Sequence, residues 1–388
     1  MTRTTAELTA FAEDLYYDLD FKSVKRWKEK TGGHAIGFMP VYAPREIVHA
    51  AGAMPVGIVG AGDWLEVIRG DAYYQSYLCH IPRSTIDMAE SGRLDFLEGM
   101  LFPSTCDVIR NLSGMWQIVK PDMYTRYVDV PQNFADDVGG KFWAHELRTL
   151  AQELGELTGT QVTDERLRAS IALFNENRGA VCDLYAFRRD EPARAPTSEV
   201  YLMVRAGLVM DVEEHTDLIR EYIAAASRIT PPELDNARVI VIGAFCEQPP
   251  IGLIKSIERS GCFVVDDDLI LISRWFTDNA AETGDPIEAL AQAFIHNTVP
   301  TAVMYSAEAG RGKAVVERVR VARAEGVIFA APSFCTPALL DQPMLVAELD
   351  REGIPYTAFK FAENAGQFQP IREQTGTFAD TMKLWSVA

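Results

Sequence analysis

Residues 5–30 place apolar side chains at helical spacing (Leu8, Phe11, Leu15, Leu19, Val24, Trp27) among charges and stop at Thr31-Gly32-Gly33. This predicts one or two helices closed by glycine. From His34 the period changes. Short apolar runs at Ala35–Met39, Pro55–Val59 and Met100–Phe102 alternate with helical stretches that open at Pro44-Arg45-Glu46, after Tyr77 and after Cys106. Val119–Val130 reads as one more strand region. Strand-length and helix-length segments in alternation predict a parallel sheet with crossover helices. Residues 141–229 differ again, with heptad-like apolar spacing, many charges and one proline-rich break at Glu191–Pro196. They predict a helical segment.

Pro231-Pro232 marks the next boundary. Beyond it strands are predicted at Val239–Gly243, Phe263–Val265, Ala302–Tyr305, Val327–Ala331 and Tyr356–Phe359, and helices at Ile251–Ser260, Pro286–Phe294, Gly312–Ala324 and Pro337–Glu352. The expected fold class is α/β, with two open parallel-sheet domains of Rossmann-like or flavodoxin-like type. The expected organisation is a helical arm over 1–33, a first α/β domain over 34–140, a helical insert over 141–235 and a second α/β domain over 236–388.

Composition narrows the partners. Hydrophobic residues make up 48% and charged residues 24% of the 388, ordinary globular usage. Acidic side chains outnumber basic ones 55 to 37, a net charge of −18, the wrong sign for neutralising phosphates. Neither nucleic acid nor an anionic membrane is an expected partner. The N-terminus lacks a basic start followed by an apolar stretch, and runs such as Arg238–Phe245 and Glu325–Ala331 fall far short of the ~20 residues of a membrane helix. A cytoplasmic protein is expected. There the six scattered cysteines, at 79, 106, 182, 246, 262 and 335, stay reduced, as buried thiols or metal ligands.

One cysteine pattern occurs twice. An apolar strand ends in Pro103-Ser104-Thr105-Cys106, another in Pro332-Ser333-Phe334-Cys335, each ahead of a predicted helix. Both cysteines then belong at the carboxyl ends of parallel strands, where open α/β sheets bind ligands. A helix N-terminus there favours the thiolate that metals need. Cys79, ahead of Pro82, stands near a third helix start. Each of the three reads either as a small buried side chain or as a ligand, and three thiolates from two domains could hold an iron–sulfur cluster that leaves one iron without a cysteine. Cys182 and Cys262 are read as core, and Cys246, at a strand-to-helix corner, as a reserve ligand. Nucleotide motifs fail: Gly57-Ile-Val-Gly60-Ala-Gly62 has the wrong glycine order, and Gly310-Arg-Gly-Lys313 is followed by Ala314 in place of Ser or Thr. No G-x-S-x-G or H-E-x-x-H pattern is present.

At Cys79, Cys106 and Cys335, with Ile257-Glu258-Arg259-Ser260-Gly261 leading to Asp266-Asp267-Asp268, and with Val327–Cys335, the chain resembles the 2-hydroxyacyl-CoA dehydratase / benzoyl-CoA reductase family. The likeness runs from about residue 34 to 380 and is strongest to the C-type subunits of the ATP-dependent reductases; the tail Gly366-Gln367, Arg372, Gly376-Thr377-Phe378 is a drifted form of the family's ending. The resemblance implies a 4Fe–4S cluster on Cys79, Cys106 and Cys335, alone or as part of a double cubane. It also implies a homologous cluster-binding partner subunit, separate ATPase activator subunits supplied by ferredoxin, and an acyl-CoA substrate. The implied activity is the anaerobic dearomatisation of benzoyl-CoA, or a substituted analogue, to a cyclic dienoyl-CoA. A 2-hydroxyacyl-CoA dehydratase subunit and a double-cubane reductase are the enzymatic alternatives, and a two-lobed ligand-binding protein the non-enzymatic one. His80 is a candidate proton donor or neighbour of the cluster, and Trp64, Tyr73, Tyr74, Phe102, Trp116 and Phe334 are candidates for an aromatic substrate pocket.

Overall fold

The computed structural model describes residues 3–244, 249–301, 310–362 and 368–385. The strands are β1 (His34–Phe38), β2 (Ala53–Gly57), β3 (Gly99–Pro103), β4 (Tyr124–Val128), β5 (Ala237–Ile242), β6 (Cys262–Asp267), β7 (Gly326–Pro332) and β8 (Tyr356–Phe361). They form two four-stranded, all-parallel sheets of the same order, β2-β1-β3-β4 and β6-β5-β7-β8. The α/β expectation holds. Its strand limits move: the second strand starts at Ala53, in register with His34, and the region Val119–Val130 divides, because a helix runs on to Val119 before β4 begins. The strand expected at Ala302–Tyr305 lies outside the described residues.

The helices are α1 (Thr5–Tyr17), α2 (Lys22–Thr31), α3 (Arg45–Ala50), α4 (Gly70–Tyr73), α5 (His80–Glu90), α6 (Asp107–Val119), α7 (Lys141–Thr158), α8 (Asp164–Asp190), α9 (Thr197–Ala206), α10 (Val212–Ala226), α11 (Ile251–Arg259), α12 (Pro286–His296), α13 (Arg311–Ala322), α14 (Thr336–Glu352) and α15 (Gln369–Trp385). Their starts are written in the sequence. Thr4 and Glu7 cap α1 reciprocally, Thr163 accepts from Arg166 N–H at the head of α8, and Asp285 accepts from the N–H groups of Ile287 and Glu288 ahead of α12.

Alternate strand residues serve two cores, as a period of two requires. Ile36 and Phe38 of β1, Val239 and Val241 of β5, and Ile328 and Ala330 of β7 face a shared interior with Trp143, Leu147, Leu184 and Tyr222 from the helical segment. The opposite face of the first sheet, with Ala35, Met100 and Phe102, packs on Ile86 and Trp116. That of the second, with Ile240, Val327 and Phe329, packs on Val315, Val319 and Leu349.

Helix α8 joins the two lobes by ion pairs. Arg178 Nη2 donates to Glu46 of α3 at 2.9 Å, and Arg188 Nη1 donates to Asp267 at the end of β6 at 2.5 Å. Both pairs are buried. The Arg188 Nε and Nη2 groups have no hydrogen-bond partner among the described residues, and the guanidinium lies 4.4 Å from the Tyr185 ring centre instead, while the Tyr185 hydroxyl donates to Asp267.

Candidate metal centre

In a 2-1-3-4 sheet the chain reverses its direction of winding between the first and third strands, and a crevice opens there at the carboxyl ends. Each lobe turns out of its third strand in the same way. Ser104 N–H donates to Val128 C=O beyond β3, and Ser333 N–H donates to Phe361 C=O beyond β7. The next helix then begins directly, with Cys106 as N-cap of α6 and Cys335 as N-cap of α14. Cys79 is N-cap of α5. The three cysteines named as ligands therefore each precede a helix N-terminus, where backbone N–H groups lack helical partners.

All three line one cavity of about 670 Å3, whose walls come from both lobes: Tyr77, Leu78 and Ile81 beside Cys79, Val108 and Ile109 beside Cys106, and Phe334, Leu340 and Met344 beside Cys335. Burial pushes the Cys106 thiol up, while N–H groups of Ile109 and Val108, directed at the sulfur, oppose it, and a negative Cys335 nearby adds to the rise. Tyr74, 5% exposed, has its hydroxyl proton held tightly by burial and by the charges of Cys79 and Cys106, and it donates to Val108 C=O at 3.2 Å.

The supports are local. Thr105 Oγ1 donates to Pro40 C=O at 3.0 Å and accepts from Val41 N–H at 3.2 Å, pinning the Cys106 turn to the exit of β1. Asp87 accepts from the N–H groups of Ile68, Arg69 and Gly70, which fixes the head of α4 and with it the segment leading to Cys79. Phe334 has φ 70°, in the left-handed region that a side chain enters at a cost, and is 53% exposed at the cavity rim.

The donor set fits a polynuclear iron–sulfur group. Thiolates are soft donors suited to iron. Among the described residues no three His, Cys, Asp or Glu side chains are set to hold a single ion, whereas a cluster takes each cysteine on a different iron and spreads its ligands further apart. None of the five described cysteines is in a disulfide.

Other expected site residues part company. His80 is buried one residue beyond Cys79 and does not line the cavity. Cys262 is buried at the start of β6, as expected, but Cys182 is exposed, which corrects its reading as core: one residue beyond the buried Val181, it turns about 100° off the buried stripe of α8. Cys246 lies outside the described residues. Of the six aromatic pocket candidates only Phe334 lines the cavity; Phe102 and Trp116 are fully buried against each other in the first lobe, and Trp64 packs on Tyr17. Arg311 and Asp341 also line the cavity and were not expected there, since nothing local to Gly310-Arg311-Gly312 or to α14 reveals that the two meet.

The model of the 2-hydroxyglutaryl-CoA dehydratase D-component family matches residues 40–382. The chain is 54% identical over 385 residues, 99% of its length and 100% of the relative's, to the C-type subunit of benzoyl-CoA reductase from Thauera aromatica. It is 28% identical to the (R)-phenyllactyl-CoA dehydratase beta subunit of Clostridium sporogenes, over 93% of this chain and 95% of that one. It is 27% identical to the (R)-2-hydroxyglutaryl-CoA dehydratase beta subunit of Acidaminococcus fermentans, over 90% and 93%. Three helix-capping cysteines around one interlobe cavity thus sit on a chain that belongs to the 2-hydroxyglutaryl-CoA dehydratase D-component family.

Proposed function

We propose that this chain is the C-type, cluster-holding subunit of an ATP-dependent reductase of benzoyl-CoA or a substituted analogue, with Cys79, Cys106 and Cys335 as ligands of a 4Fe–4S cluster, single or within a double cubane. The observation that carries the reading is the convergence of these three cysteines, from two lobes, on one cavity. The full-length relative, the C-type member of a benzoyl-CoA reductase, supports the substrate. When bound, the cluster supplies low-potential electrons at the cavity wall. The chain's own residues do the rest: Leu78, Ile81, Phe334 and Leu340 offer an apolar bed for an aromatic ring and keep water out, and N–H groups at the helix heads stabilise negative charge. His80, off the wall, is read as a neighbour that stiffens the Cys79 turn.

The chain is one part of the enzyme in this reading. Tyr77, Phe334, Leu340 and Met344 are 59%, 53%, 70% and 55% exposed around the cavity mouth, an apolar rim suited to a homologous cluster-holding subunit. ATPase activator subunits fed by ferredoxin deliver the electrons. The anaerobically purified chain is expected to be brown, with iron and sulfide near four each per chain, or about eight iron and nine sulfide where a bridging sulfide joins two cubanes. With its partner subunits it should form a cyclic dienoyl-CoA only while ATP is hydrolysed. A colourless, iron-free preparation overturns the proposal.

The dehydratase relatives and the family's description favour a second reading, a 2-hydroxyacyl-CoA dehydratase subunit. Electron stoichiometry separates the two. A reductase consumes reductant with every turnover, whereas a dehydratase needs one priming electron for many.

A further inference from the structure

A smaller chamber lies behind the cysteine cavity. It encloses about 50 Å3 between the ends of β5 and β7 and helices α13 and α14, room for a few water molecules. Arg311 and Asp341 line both spaces, so the wall between them is an ion pair: Arg311 Nε and Nη2 reach Asp341 Oδ1 at 2.7 and 2.5 Å. Asp268 lines the chamber as well, 6% exposed, its carboxylate accepting from Gly243 N–H at 2.8 Å and Ala244 N–H at 3.2 Å. Gly243 has φ 111°, a conformation side chains rarely adopt. Thr301 also lines the chamber; its Oγ1 is buried without a hydrogen-bond partner among the described residues, a group that a chamber water would satisfy. In the run Asp266-Asp267-Asp268 the first two carboxylates are engaged by Arg318, Arg274 and Arg188. Asp268 has its carboxylate on two backbone N–H groups and on the chamber.

We propose that Asp341 delivers protons into the cysteine cavity and is reloaded through this chamber from Asp268. The proposal rests on the preceding reading, in which electrons from a low-potential iron–sulfur donor enter an aroyl thioester and an equal number of protons must follow. An apolar, water-excluding cavity cannot draw them from bulk solvent. In each transfer the O–H bond of protonated Asp341 breaks and the proton passes to the reduced ring. The carboxylate left behind takes a proton from chamber water, Asp268 returns one to that water, and Asp268, 6% exposed, regains its own from bulk solvent. Electrons arrive separately, so charge and atoms balance. Burial favours the protonated form of both carboxyls, raising Asp268 to about 6 and lifting Asp341 in spite of Arg311. Arg311 faces Asp341, and Arg318 and Asp267 act on Asp268; among the described residues the rest of the chamber wall, Ile242, Leu271, Val315 and Phe329 included, carries no titratable group.

The test uses the complex assembled with its partner subunits, with D341N, D341E and D268N. Asp341→Asn should keep its iron, sulfide and visible spectrum and its KM, yet lose about 100-fold in kcat, the usual scale of a general acid, with an enlarged solvent deuterium isotope effect. Asp341→Glu should recover most of the rate, and Asp268→Asn should move the pH profile of kcat. Asp341→Asn turning over within threefold of the parent, or failing only by losing iron, overturns the proposal. Infrared titration of the substrate-free complex in D2O decides independently of the reaction. The carboxyl bands that titrate above the ordinary Asp range should include one lost in D341N and one lost in D268N, and the absence of these two also overturns it. A parent complex that binds iron and shows both bands but reduces no aroyl thioester sinks the functional reading, not the proton route.

Discussion

Cys106 shows at one sulfur how the site balances opposed demands. Burial resists the thiolate, while N–H groups of Val108 and Ile109 at the head of α6 favour it, so the bare site leans to the thiol and a metal tips it over. Cys79→Ser, Cys106→Ser and Cys335→Ser should each strip most iron from the anaerobically purified chain, measured as iron and sulfide per chain, whereas Cys182→Ser and Cys262→Ser should leave it in place. Full iron retention in any of the first three removes that residue from the ligand set. At this scale the sequence was readable where chemistry and a strand end coincide, as in the doubled Pro-Ser-x-Cys. It misled where orientation within a helix decides. Cys182, read as core, is exposed on α8.

Among the elements, one buried histidine of α10 ties that helix to α8 and α9. His215 of α10 is buried with both ring nitrogens engaged: Nε2 lies 3.0 Å from Met203 C=O and Nδ1 2.9 Å from the Asn177 amide, an arrangement that suits the neutral ring protonated at Nε2. A methyl added at Gly207 would come within 2.4 Å of the ring. Burial lowers the imidazole from 6.5 to about 4. As pH falls from about 6.5 towards 4 the unfolded chain takes up a proton that the folded chain refuses, so this contribution to stability, present above pH 6.5, is lost across that window. Chemical denaturation at several pH values should show a slope approaching ~1.4 kcal/mol per pH unit there. His215→Gln should flatten it; an unchanged slope in that variant rules His215 out as its source. Element order and strand type were legible because apolar runs and helical spacing are local signals. The Arg311–Asp341 wall was not, because it is created by two helices packing together.

For the whole molecule, α8 is the member that fixes one lobe against the other, through Arg178–Glu46 at one site and Arg188–Asp267 at another. Arg188→Ala leaves Asp267 buried without its main cation and should cost about 3–5 kcal/mol in equilibrium denaturation. Replacing both partners by apolar residues of similar volume should recover most of that loss. If Arg188→Ala unfolds at the same denaturant concentration as the parent, the pair does not hold the lobes.

The repeated lobe carries a last consequence, and it concerns descent. The same strand order occurs twice, and each copy exits its third strand through Pro-Ser-x-Cys into a helix. Such a pattern is what duplication of a single half would leave behind. A lone half would offer one thiol from this turn, and the cavity gathers one from each half. Cys79 has no counterpart among the described residues of the second half. The cysteines around the cavity are therefore unevenly shared, two from the first half and one from the second.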